Sequence, residues 1–271
     1  MKEILKPQFM DSIFNFIHLY NQEASLIAFD CINEILSQNF VPSEFDQFMV
    51  TIFNQLFRLL ESITQSTDGL DMFDEEYVDK FTQFTSLFVA KHLRRVESKE
   101  GFPIIQFLEL LYKFTFIQTS LEGYLSCIEI WETLLDYIIS QQEGTQPSLL
   151  HQKYSDGLAA LGKQLIIKIQ YKSNAKELES LDTSTTSDDI DNSELESFIG
   201  GSLDLIGKIA QLYPEKILNV LAPLLDRGKQ FLQIESQVNS SGFTNDILYT
   251  IKDSEILLRI FSQTACGFVC Y

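Results

Sequence analysis

The stretch Ser43–Gln65, SEFDQFMVTIFNQLFRLLESITQ, decides the fold class. Its apolar residues fall at Phe45, Phe48, Met49, Ile52, Leu56, Leu59, Leu60 and Ile63. Steps of three and four place them on one face of a helix. Phe53 and Phe57 widen that stripe, so the helix is expected to be covered on more than one side. Pro42 blocks the preceding helix and Ser43 can cap the free amides at the new start.

The same period recurs on both sides of this stretch. Upstream, residues 7–20 and 23–37 read as a shorter pair of helices. Downstream, Asp74 to Arg95 carries Tyr77, Phe81, Phe84 and Phe88 on one face. The run FPIIQFLELLYKFTF, 102–116, is apolar almost all round and calls for burial on several sides. Ser120 is placed to cap a helix with Leu121, Tyr124, Leu125, Ile128, Trp131, Leu134, Leu135 and Ile138 as its stripe. Further helices are expected over 147–171, 193–213, 215–235 and 245–265. The chain is thus about ten helices joined by short connections, with helix pairs recurring every ~45–60 residues. The fold class expected is all-α. Within it we expect an α-solenoid of stacked antiparallel helix pairs of HEAT type, a right-handed superhelical segment over 1–271, with a globular helix bundle as the alternative.

Composition agrees with a folded helical chain: 45% hydrophobic residues, 22 Phe, but only 12 Gly and 6 Pro. A net charge of −18, from 38 acids against 20 bases, argues against a nucleic-acid partner and favours partners with basic surfaces. No run of about 18 apolar residues suits membrane insertion, and no signal peptide is expected. Phe268 stands where a prenylation box needs cysteine. Cys31, Cys127, Cys266 and Cys270 are scattered and read as reduced thiols. His18, His92 and His151 share no metal-ligand spacing, and no phosphate-loop, dinucleotide or nucleophile-elbow motif occurs. Gly200-Gly201 lies in a helical pattern without the preceding strand a phosphate loop needs. No residue is singled out as catalytic, cofactor-binding, metal-binding or partner-binding, so the chain reads as a binding scaffold and not an enzyme.

Two charge features stand out. Glu177–Glu196, ELESLDTSTTSDDIDNSELE, holds eight acids and no base, and reads as a mobile acidic loop between helices. In FVAKHLRRVESKEGFP, His92, Arg94, Arg95 and Lys99 gather among acidic neighbours. Asp74, Glu75 and Glu76 open that helix, so bases at its end complement the helix dipole by about 0.3–1 kcal/mol each.

Four stretches resemble one family in order and interval: AFDCINEILSQNFVPSEFDQF, DEEYVDKFTQFTSLFVAKHLRRVES, FPIIQFLELLYKFTF and EGYLSCIEIWETLLDYI. They resemble the actin-carrying branch of the importin-β-type (karyopherin) nuclear export receptors. A weaker likeness continues through IQYKSNAKELESLD and GGSLDLIGKIAQLYPEKILNVLAPLLD. The resemblance implies a HEAT-repeat superhelix that binds actin with profilin together with the GTP form of the small GTPase Ran. It also implies passage through nuclear pores on nucleoporin Phe-Gly repeats, shuttling between nucleus and cytoplasm, and cargo release on GTP hydrolysis. Receptors of this family are about four times longer, so the chain is expected to match a middle portion, without the amino-terminal arch that meets Ran. The acidic run 177–196 would then be a candidate docking point for a basic face of Ran or profilin. A static helical scaffold without a nucleotide cycle is the alternative function.

Overall fold

The structure is a computed structural model that describes residues 7–17, 22–38, 46–65, 69–97, 99, 102–141, 149–183, 193–228 and 243–269. Among the described residues there are helices and no strands. They fall into two compact units, Met1–Leu134 and Leu135–Tyr271.

The first unit contains α1 (Pro7–Ile17), α2 (Gln22–Ser37), α3 (Asp46–Gln65), α4 (Glu75–Lys91), α5 (Leu93–Val96), α6 (Ile104–Phe116) and the beginning of α7 (Leu121–Ser140). Helix α3 buries Met49, Ile52, Phe53, Leu56, Leu59, Leu60 and Ile63, the face its spacing requires. Ser43 and Phe45 lie outside the described residues. Phe53 is fully buried at the centre of an aromatic cluster, its ring 4.1 Å from Phe102, 5.4 Å from Phe107 and 5.7 Å from Phe88. A second cluster joins Phe29, Tyr77, Phe81, Phe84 and Phe114. Rings at such distances add about 0.5–1.5 kcal/mol per pair to their hydrophobic burial.

Helices α2 and α4 run side by side in the same direction. Along α2 and α4, Gln22 meets Asp74, Asp30 meets Lys80, Asn33 meets Gln83 and the Ser37 carbonyl meets Lys91. These partners are separated by 52, 50, 50 and 54 residues. A constant offset along a parallel pair is what a repeated up-and-down helix pair produces, because every second helix points the same way. Asp46 and Arg95, 49 residues apart, continue the offset into the start of α3.

The second unit holds the rest of α7, α8 (Leu149–Lys168), α9 (Tyr171–Thr183), α10 (Glu194–Leu212), α11 (Pro214–Gly228) and α12 (Asn245–Val269). Here the offset is longer. Lys216 meets Ser155 and Asp156 at separations of 61 and 60, Arg259 meets Glu196 at 63 and Gln263 meets Asp204 at 59. Helix α8 approaches α10 and α11 closely at Gly162, where an added Cβ would stand 2.7 Å from Ile217 Cδ1 and 3.5 Å from Ile209 Cγ2. The fold is an all-α helical-repeat arrangement.

Several boundaries differ from the sequence reading. The helix expected over 74–95 breaks at His92, whose backbone leaves the helical region (φ −123°, ψ −21°), and a short α5 follows. Helix α6 is more amphipathic than its composition suggests: Ile105, Gln106, Glu109 and Lys113 are exposed. The helix expected over 147–171 ends at Lys168. A separate helix, α9, then covers Glu177–Thr183, which the sequence reading gives to the acidic loop. Residues 184–192 of that run lie outside the described residues, and from Glu194 it is already α10. Ser120 caps as its position suggests, accepting from Gly123 N at 3.0 Å, and the structure adds Ser193 as a cap of α10, accepting from Glu196 N at 3.1 Å.

Candidate functional site

The groups that could carry chemistry are dispersed. Among the described residues no three His, Cys, Asp or Glu side chains could hold a metal ion. No helix of the described residues is long and apolar enough to cross a membrane. Cys127 is fully buried, and burial pushes its thiol up to about 12, where it is no nucleophile at neutral pH. His151 is buried against Tyr213, with ring centres 5.1 Å apart, and loss of water lowers its pKa. The Tyr213 hydroxyl donates to the His151 carbonyl at 2.8 Å, and burial moves this phenol to about 12. His18 lies outside the described residues.

The basic cluster does more than end its own helix. Its members reach back to the previous helix pair. Lys91 donates to the Ser37 carbonyl, and the His92 ring meets the Leu36 carbonyl at 2.9 Å through Nε2. Both carbonyls belong to the last turn of α2, where the helix's own bonding pattern leaves carbonyls open. Arg95 and Lys99 take the two oxygens of Asp46, at 2.6 Å and 3.7 Å, in the first turn of α3. The cluster therefore clasps the corner between α2 and α3 from one repeat later. Arg94 is exposed on the outer side of α5.

The same device recurs where the sequence shows no local signal. Ser25 of α2 donates to the Phe16 carbonyl at 3.0 Å, at the end of α1. Asn174, itself non-helical (φ −138°, ψ 32°), donates to the Ile167 and Lys168 carbonyls at 2.8 and 3.1 Å, closing α8. Asp253, from the middle of α12, accepts from Tyr171 N at 2.6 Å and Lys172 N at 3.2 Å, starting α9. Burial raises the Asp253 pKa, while those two amides and Lys172 hold it down. A pattern search looks three or four residues away, so caps supplied some 80 residues along the chain escape it.

One surface groove fits the acidic character of the chain. It runs between α4 and α7 with a volume of about 380 Å³ and carries exposed Asp79, Glu122 and Glu129. Its lysine, Lys80, is already paired with Asp30. The groove is open and displays the negative charge of Asp79, Glu122 and Glu129.

Comparison with known proteins places this arrangement. No family model matches, and no solved structure matches. Curated proteins do. Exportin-6 of Dictyostelium discoideum is 35% identical over 280 residues, covering 99% of this chain and 26% of the relative. Exportin-6 of Homo sapiens is 37% identical over 227 residues, 80% of this chain and 20% of the relative. Exportin-6-A of Xenopus laevis is 39% identical over 197 residues, 70% of this chain and 17% of the relative. The chain thus spans about a quarter or less of the length of these relatives. On this extended identity, the chain belongs to the exportin-6 family and corresponds to a portion of its longer members.

Proposed function

We propose that this chain is a middle portion of a nuclear export receptor. In the longer protein it would bind protein cargo, actin with profilin, together with Ran in its GTP form, and carry it from nucleus to cytoplasm. The observation that carries this reading is 35% identity along 99% of the chain to a protein named exportin-6. Two physical features support it. Stacked helix pairs touch mainly their neighbours, so such a scaffold bends at small cost and offers a long surface. A net charge of −18 favours fast association with basic protein faces and disfavours nucleic acid. Coupling between cargo and Ran would arise if both prefer one curvature of the scaffold, and it must then be reciprocal. Passage through pores would use nucleoporin Phe-Gly repeats. The acidic run Glu177–Glu196 would give a basic face of Ran or profilin a docking point. Unchanged, salt-independent cargo affinity after removal or charge neutralisation of the run 177–196 in the longer protein would refute that role.

The test is a binding experiment with a chain extended to the length of the relatives. It is immobilised and offered profilin–actin, with and without GTP-locked Ran. Actin retained only when Ran-GTP is present is the expected result. Equal retention in both arms would favour a static scaffold, and no retention by a folded full-length protein would move the function to another cargo.

A further inference from the structure

The corner at His92 has a feature that its structural role leaves unexplained. The side chain is 2% exposed and bridges two repeats, its Nε2 lying 2.9 Å from the Leu36 carbonyl. A carbonyl oxygen only accepts, so Nε2 carries the proton and Nδ1 is left with a lone pair. That Nδ1 is buried and has no hydrogen-bond partner. The Phe88 ring, 6.4 Å away, covers the imidazole on its own helix. Cations surround this corner: Lys91 at the end of α4, then Arg94 and Arg95 on α5. From α3 the corner receives Asp46, which Arg95 and Lys99 already share. From α2 it receives the carbonyls of Leu36 and Ser37, while Glu34 is held by Gln38. Glu97, also buried, closes α5.

We infer that His92 is a proton-sensitive latch between two successive repeats: neutral, it closes the end of α2, and protonated, it releases that end from the α4–α5 corner. A second ring proton at Nδ1 would find no acceptor, and the new charge would sit in a dry site beside Lys91 and Arg95. The direction of titration agrees. Burial lowers the His92 pKa below its ordinary 6.5, the Leu36 hydrogen bond opposes this, and Arg95 and Lys91 lower it further. A base whose folded pKa is lowered contributes fully above the unfolded value. Its contribution is lost as pH falls from 6.5 toward the folded value. One proton sets the slope at no more than about tenfold per pH unit.

The experiment is hydrogen exchange on the whole chain between about pH 7.5 and 5.5, corrected for intrinsic rates, the range in which an imidazole changes charge. The segments read are 30–38 and 88–97. The wild type is expected to lose protection there by up to about tenfold per pH unit. His92→Gln keeps an amide donor for the Leu36 carbonyl and cannot titrate, so its protection should stay flat. His151→Gln, the control for the other buried histidine, should follow the wild type. Equal losses in His92→Gln and wild type, or a flat wild type, would overturn the latch. Should His92→Gln fail to fold, the wild-type ring decides by NMR. A midpoint below 6.5 with the proton on Nε2 supports the latch, and a midpoint at or above 6.5 refutes it.

Discussion

Phe53 is the residue on which the first unit turns. Three helices and the Phe102 connection meet at its ring, and the side chain is fully buried. Phe53→Ala should cost about 3–5 kcal/mol in denaturant unfolding, because three neighbouring rings cannot all close on the space left. Asp253 is a smaller lever with a more local effect. Asp253→Ala removes both acceptors at the start of α9 and should cost about 0.5–2 kcal/mol, with loss of helix signal confined to 171–183. Tyr213→Phe removes one buried donor to the His151 carbonyl and should cost about 0.5–1.5 kcal/mol by the same measurement.

At the scale of helices, contact distance is set by small residues as much as by large ones. Gly162→Val would push branched atoms into Ile217 and Ile209 and should destabilise the second unit by about 1–3 kcal/mol in thermal or chemical unfolding. The Arg259–Glu196 pair joins α10 to α12 with both side chains partly exposed, 32% and 41%. Arg259→Met should therefore change stability by less than about 1 kcal/mol. The long helices were legible in the sequence because each has a wide apolar stripe, as α3 does. Helix α9 was not: apart from Tyr171 and Leu178 its buried face is thin, and its start is fixed by Asp253 and its break by Asn174. The basic cluster was visible as a cluster, but its partners Leu36, Ser37 and Asp46 lie a full repeat upstream. No periodicity argument reaches that far. The family likeness came from four long segments in order, a different kind of information from spacing.

For the whole molecule, the repeat offset is the governing quantity. Inter-helix partners 47–56 residues apart in the first unit and 59–82 in the second mean that stability is built from neighbouring pairs. Phe53→Ala should then lower hydrogen-exchange protection in α3, α4 and α6 while leaving α10 and α12 unchanged. A uniform loss across both units would show a single cooperative block instead. The caps supplied from later repeats also bear on how the chain is made. The carbonyls of Leu36 and Ser37 wait for His92 and Lys91, 56 and 54 residues downstream. At roughly 5–20 residues per second of synthesis, α2 leaves the ribosome unfinished for about 3–11 s before its closing partners exist. The end of α2 is in this sense completed by the repeat that follows it, and its last carbonyls stay open to solvent until α4 and α5 have been made.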